Sequence, residues 1–208
     1  MMHRFVIRSI ELFLTETYGM GFWRQVVALV GLGDFGAFEN CPQDKVAGVL
    51  ATAAENLGKS VDELTEDIGA WLVQMEALRR LLRFSGPDYR DFVLSLNEFR
   101  GRCHLILPEM EVPDFSVWQE GERLSVSVDP GRDAAIHDLW RSLVAGGLRA
   151  IADDYGALAL IETNPQGIIE VTILSTDFAE GRDFVLSAGL SAAAVRSGAG
   201  RVDGNAEH

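Results

Sequence analysis

The chain has 208 residues, of which 48% are hydrophobic, and it carries a formal net charge of −13. A chain of this length and apolar content can bury one substantial core, so we expect a globular domain. The negative charge disfavours nucleic acid and anionic membranes as partners. No apolar run approaches the roughly 20 residues that cross a bilayer, and Glu11 and Glu16 interrupt any signal peptide. We therefore predict a cytoplasmic protein, with the thiols of Cys41 and Cys103 reduced.

The first half of the chain is predicted to be helical, because apolar residues recur there with helical spacing. The predicted helices cover residues 4–18, 22–29, 45–57, 60–71 and 76–83, and a last one holds Arg100. Ser60 and Glu63 form a capping box, and Pro87 suits the first turn of the helix that holds Arg100. The glycine-rich stretch 31–42 is predicted to be a loop.

After Pro113 the pattern changes to alternating apolar and polar residues, which indicates β-strands. Two hairpins are predicted, on either side of a long helix; the strands cover residues 115–120, 123–128, 158–163 and 168–174, and the helix covers 133–155. This order indicates an α+β fold with an antiparallel sheet. Residues 1–185 are predicted to form one domain, with a helical part (1–85) and an αβ part (86–185). The Ala/Gly/Ser-rich residues 186–208 are predicted to be a flexible tail.

One segment carries a family resemblance, namely DFVLSLNEFRGRCHLILPEMEVPDF, from Asp91 to Phe115. It is similar to the proximal segment of H-NOX domains, the haem nitric oxide/oxygen-binding family. The residues in register with the family pattern are Leu96, Phe99, Pro108, Pro113 and Phe115. The iron-ligating histidine of the family falls on Arg100, whose guanidinium offers only donors and cannot give a lone pair to iron.

The resemblance covers roughly residues 2–175 and implies a particular architecture. H-NOX domains have a helical N-terminal subdomain, followed by a four-stranded antiparallel sheet packed with helices, and they hold haem b between the two. Gas binding in the family strains the bond from the proximal histidine to iron. The resemblance thus implies a gas sensor that acts on a separate partner, such as a histidine kinase or a cyclic-dinucleotide enzyme. Without the histidine, that switch cannot operate as usual.

Two further positions bear on haem. The family holds the propionates with a Tyr–x–Ser–x–Arg motif, which falls on residues 128–132, and there only Arg132 matches. Val128 and Pro130 replace the other two donors, although propionates need charge-assisted hydrogen bonds. Pro113 matches the proline that packs on the haem face in the family, and it also reads as an ordinary loop proline.

Two histidines are candidate replacement ligands for iron. His104 follows Arg100 by four residues, so in a helix it lies on nearly the same face; it is equally a polar residue near a helix end. His137 falls near the distal-pocket helix of the family, and it is equally a surface histidine of an amphipathic helix.

Other functions remain open on the sequence. Arg100 and Arg132, if both face the former haem cavity, suit an anionic small molecule such as a fatty acid or tetrapyrrole. Alternatively, Arg100 pairs with Glu98 or an N-terminal acid, side chains fill the cavity, and the domain binds a protein partner. No catalytic signature is present, so we predict a protein that is not an enzyme; an enzyme of tetrapyrrole metabolism rests on fold analogy alone.

Overall fold

The computed structural model describes residues 2–31, 40–82, 85–106, 112–129 and 134–176; for residues 2–5, 40, 41, 77, 106 and 134–137 it describes the backbone only. The helices are α1 (Arg4–Tyr18), α2 (Met20–Val30), α3 (Gln43–Leu57), α4 (Val61–Leu72), α5 (Glu76–Leu82), α6 (Tyr89–Leu94), α7 (Phe99–Ile106) and α8 (Ala134–Asp154). A 3₁₀ segment, Ser95–Glu98, joins α6 to α7. The strands are β1 (Met2–His3), β2 (Asn40–Cys41), β3 (Phe115–Glu120), β4 (Arg123–Val128), β5 (Leu158–Thr163) and β6 (Ile169–Ser175).

The predicted α+β fold with a four-stranded antiparallel sheet is confirmed. Its strand order is β3-β4-β6-β5, and each neighbouring pair is antiparallel. Alternate residues of β4, namely Leu124, Val126 and Val128, are buried, because successive side chains of a strand point to opposite faces. That face packs on α8, so the sheet and the long helix share a core.

Local sequence signals predict several helix ends that the structure confirms. The amide of Glu63 donates to Ser60 Oγ (3.1 Å), and the amide of Ser60 donates to Glu63 Oε2 (2.7 Å), which completes the predicted capping box of α4. These hydrogen bonds hold the pKa of Glu63 below its ordinary range. Helix α3 ends at Gly58, whose φ of 66° is a left-handed cap that favours glycine.

Two local predictions were wrong. Part of the predicted loop 31–42 pairs as a strand, since Asn40 and Cys41 form an antiparallel ladder with His3 and Met2; two residues are too few to leave an alternating pattern. Pro87 does not begin a helix. Asp88 caps α6 instead, because its carboxylate accepts the amide of Asp91 (2.8 Å).

The apolar interior has two centres. One is built from α1–α4 and includes Leu14, Val26 and Leu64. The other lies between α6, α8 and the sheet and includes Phe92 and Leu148. Helices α4 and α8 lie side by side between the two centres; α8 contributes to both, whereas α4 contributes to the first and Val73, directly after α4, to the second. None of the described helices is long and apolar enough to cross a membrane.

Candidate functional site

An apolar pocket of about 100 Å³ lies where α4, α5, α6, α7, α8 and β3 meet. Its lining side chains are aliphatic or aromatic, apart from two glycines, and they include Leu72, Phe99, Phe115, Val144 and Leu148. The pocket is partly open to solvent.

One wall of the pocket is the α4–α8 pair, which packs backbone against backbone. A Cβ placed on Gly69 would lie 2.0 Å from the carbonyl oxygen of Leu143, and one on Gly146 would lie 1.9 Å from that of Glu66. Only glycine permits this approach. The pair is also joined by an ion pair between Arg149 and Glu66. The two helices therefore cannot approach each other more closely.

The opposite wall comes from α7 and β3. The rings of Phe99 and Phe115 meet edge to face, with centroids 5.6 Å apart, a favoured aromatic geometry. Next to them, the side-chain amide of Asn97 pairs with the backbone of Val117. Asn97 Oδ1 accepts the Val117 amide (2.8 Å) and its Nδ2 donates to the Val117 carbonyl (3.1 Å). Asn97 thus fastens the 3₁₀ segment to the outer edge of the sheet.

Tyr89, on α6, contacts the backbone of Leu148, one of the residues that line the pocket. It is 1% exposed, and its hydroxyl donates to the carbonyl oxygen of Leu148 on α8 (2.9 Å). Burial raises the pKa of this phenol well above its ordinary range. The hydrogen bond ties α6 to α8 beside the pocket.

The structure places Arg100 at the surface. Its guanidinium pairs with the carboxylate of Asp114, and the two side chains are 58% and 54% exposed. Arg100 is not among the residues that line the pocket. The physical reason is the cost of burying a guanidinium without a partner: Asp114 offers a carboxylate in solvent, and the apolar pocket offers none.

The other arginine of α7 is more deeply placed. Arg102 Nη1 donates to Ser85 Oγ (2.8 Å), and Nη2 donates to the carbonyl oxygen of Ser95 (2.8 Å) and to its Oγ (3.1 Å). Its Nε is buried and has no hydrogen-bond partner among the described residues. The next residue, Cys103, is a buried free thiol, and burial raises its pKa to about 11. Cys103 thus lies on the inward face of α7, and Arg102 beside it is partly buried.

The remaining predicted site residues do not converge on the pocket in the described part of the chain. His104 is exposed on α7. Pro113 is half-buried, directly before Asp114, and does not line the pocket. His137 belongs to α8, seven residues before Val144, and only its backbone is described. Arg132 and the predicted tail, residues 186–208, lie outside the described residues.

The described residues do not fit a histidine-ligated haem. Pockets that enclose drug-sized ligands measure roughly 300–1,000 Å³, and haem is at least that large, whereas this pocket measures about 100 Å³. At the propionate motif, Val128 is buried and has no donor, and Asp129 uses its amide on the Asp114 carbonyl (2.8 Å). No three His, Cys, Asp or Glu side chains of the described ranges lie close enough together to hold a metal ion.

Solved structures with the same fold are H-NOX proteins. An H-NOX protein from S. oneidensis in the Fe(II)NO ligation state superposes with a TM-score of 0.69 at 12% identity, covering 84% of this chain and 100% of that one. A point mutant of the T. tengcongensis H-NOX gives 0.63 at 14% identity, with 84% and 98% covered. A mutant of the K. algicida H-NOX gives 0.63 at 14%, with 84% and 97% covered. No curated protein matches the chain.

The fold is thus that of an H-NOX domain. The sequence also matches the Haem-NO-binding family over residues 3–126, which is more than half of the chain. The chain belongs to the H-NOX family. Domains of this family are haem-based gas sensors rather than catalysts, and they commonly act through partner signalling proteins.

Sequence reasoning missed several residues that build the site. Gly69 and Gly146 look like ordinary helical glycines, because their role depends on the facing helix. Arg102 and Asn97 were given no role, since their partners lie 7 to 20 residues away along the chain. The adjacent glycines Gly146 and Gly147 in the middle of α8 are a signal that could have indicated a close helix contact.

Proposed function

We propose that this chain is a regulatory domain of the H-NOX family that works without histidine-ligated haem. It acts on a separate signalling partner, such as a histidine kinase or a cyclic-dinucleotide enzyme. The partner classes follow from the family resemblance, and the departure from haem follows from this chain's own residues.

The observation that carries the proposal is the position of Arg100. By the family resemblance it takes the place of the iron ligand, and its side chain turns to solvent, where it pairs with Asp114. Beside it, the pocket is narrow and apolar. A guanidinium is protonated at every physiological pH and donates only. Neither the ligand nor the space for a porphyrin is provided by these residues.

The test is an absorption titration of the full chain with hemin, followed by reduction and exposure to nitric oxide. We expect absorbance that rises without saturation and no Soret band of a bound haem. The variant Arg100→His should behave in the same way, because restoring the imidazole does not enlarge the pocket. A saturable five-coordinate spectrum of the wild-type chain would overturn the proposal.

A second candidate is a haem sensor with a relocated ligand. It is favoured by the position of His137, since residues seven apart share one side of a helix and Val144 lines the pocket. A Soret band that is lost in His137→Ala would establish it. The matched variant His104→Ala, on exposed α7, distinguishes this ligand from the other candidate.

A further inference from the structure

We infer that the outer face of the sheet, at its β5–β6 corner, docks an amphipathic helix of a partner protein. The partner helix places apolar side chains in the contact and lysine or arginine at its rim. This inference rests on the proposed function, because it takes the domain to act on a separate partner. It names the surface that makes the contact and the chemistry of the segment that fits it.

Three exposed leucines lie on the face of the sheet that points away from α8. Leu158 and Leu160 flank Ala159, which packs on the core, so their side chains point outward. They are 54% and 48% exposed, and Leu174 of β6 is 61% exposed. Isolated exposed leucines need no explanation, whereas a contiguous cluster on one face is a candidate interaction site. We call these three residues the leucine corner.

The strand register brings the leucine corner together. Leu158 opposes Ser175 of β6, whereas Ala159 opposes Ile173. Leu174, between these two residues of β6, is therefore the additional residue of a β-bulge, a feature that commonly redirects a side chain at the edge of a sheet. By this register Leu174 lies within cross-strand reach of Leu158, at roughly 5–8 Å between their Cβ atoms. The cluster is therefore contiguous across two strands.

The middle of the same outer face is polar, as the solvent-facing side of an antiparallel sheet normally is. Arg123 of β4 and Glu170 of β6 form an ion pair there (3.0 Å). Ser125, which opposes Glu170 directly, is buried, so the long side chains of this ion pair cover the central strands. The leucine corner departs from this pattern, because apolar side chains stand there at outward positions and remain about half exposed.

Both edge strands of the sheet have backbone groups that are already taken by side chains. On β5, Arg149 Nη2 donates to the carbonyl oxygen of Ile161 (3.2 Å), and Arg149 is held in turn by Glu66. On β3, the amide and the carbonyl of Val117 are bonded by Asn97. An added partner strand would need such edge groups. The partner therefore binds on the face, where an amphipathic helix can pack its apolar stripe on a sheet.

Charge decides between a second copy of this chain and a basic partner. Glu162 is exposed two residues after Leu160, on the same outer face of β5, and it opposes Glu170 directly. Carboxylates at the rim attract lysine and arginine. Two copies of the chain, each with a net charge of −13, repel one another. Three leucines also fall well short of the roughly 800 Å² per partner of a stable interface, so a transient contact with a basic helix fits best.

The experiment is a methyl NMR titration of the full chain with a synthetic amphipathic helix of leucine and lysine. We expect the methyl signals of Leu158, Leu160 and Leu174 to shift and to saturate. Those of Leu29 and Leu105, which are 63% and 85% exposed on α2 and α7, serve as internal controls and should not move. Equal shifts at all of these leucines would show unspecific apolar contact and overturn the inference.

Matched variants test the apolar and the acidic part of the surface. Leu160→Ala should weaken binding of the peptide about tenfold, whereas Leu105→Ala should leave it unchanged. Glu162→Gln should weaken binding about threefold at low salt and less at high salt, whereas Glu55→Gln, at an exposed position of α3, should have no effect. A second peptide carries glutamate in place of lysine and should bind more weakly than the first. Equal binding of the two peptides overturns the inference.

The same sample distinguishes the other occupants of the leucine corner. Broadening of its signals that grows with protein concentration, without peptide, would mean a second copy of this chain. Nuclear Overhauser contacts to residues 177–208 would mean the chain's own C-terminal segment, and either result overturns the inference. A hemin titration tests the proposed function separately. A saturable Soret band with the leucine shifts retained overturns the proposed function alone, whereas a featureless titration with the leucine shifts absent overturns this inference alone.

Discussion

The two walls of the pocket are built in different ways. The α4–α8 wall is a backbone contact between buried helices, with glycines where the chains touch. The α7 wall is a short helix with one inward face, at Phe99 and Cys103, and an outer face that is exposed at Arg100 and His104. The first wall depends on the close fit of two helix backbones, and its contact glycines tolerate no added Cβ. The second depends on polar side chains that fasten it to its neighbours.

This difference determines where the fold can accommodate a charged side chain. Arg100 lies on the α7 wall, where a charged side chain can turn to solvent without disturbing the core. At the α4–α8 contact, a side chain added at Gly69 or Gly146 would collide with the backbone of the facing helix. A charged side chain is therefore accommodated more readily on the outer face of α7 than at the α4–α8 contact.

The largest expected effect concerns the glycine contact. Gly146→Ala should destabilise the protein by about 3 kcal/mol, because the new Cβ meets the carbonyl of Glu66 and forces the helices apart. Gly101→Ala is the matched control, since its Cβ meets nothing within 4 Å; in the interior of α7 it should be neutral or stabilise by up to about 1 kcal/mol. Urea unfolding followed by circular dichroism measures both, and equal effects would refute the contrast between the walls.

The sequence predicts the helices and strands of this molecule better than it predicts the contacts between residues that are distant along the chain. Helices α1 and α8 and strands β3–β6 were predicted within one or two residues, because periodicity and turn residues are local signals. The 3₁₀ break before α7 was not predicted, since the amide of Asn97 finds its partner, Val117, across the fold. The outward turn of Arg100 likewise depends on Asp114, which is 14 residues distant.

The second-largest loss of stability is expected at Arg102, and Arg100, the other arginine of α7, serves as its comparison. Arg102→Ala removes three hydrogen bonds from a guanidinium and leaves Ser85, which is 2% exposed, without its donor. We expect a loss of about 2 kcal/mol, in the range for hydrogen bonds that involve a charged group. Arg102→Lys should recover part of it, since one ammonium can still reach a serine oxygen. A loss no greater than that of Arg100→Ala would show that α7 is not fastened through this side chain.

Alkaline pH tests the inward face of α7. The pKa of Cys103 is raised by burial to about 11 from an ordinary value of 9.0, so the folded state keeps the proton that the unfolded state releases. The contribution is present in full below pH 9.0 and is lost as pH rises toward 11. We therefore expect the unfolding free energy of wild type to fall across this range, and to fall less steeply in Cys103→Ala. Tyr89→Phe should be measured alongside, because its raised phenol pKa adds a slope of the same sign.

The smallest effect is expected at the ion pair between Arg100 and Asp114. Arg100 and Asp114 are both more than half exposed, and exposed ion pairs contribute at most about 1 kcal/mol. Arg100→Ala should therefore cost less than Arg102→Ala, and high salt should reduce the coupling between Arg100→Ala and Asp114→Asn in a double-mutant cycle. A coupling that is large and independent of salt would mean that this pair is shielded from solvent. In that case α7 would be held firmly at Arg100, and the contrast with the α4–α8 wall would not apply at this position.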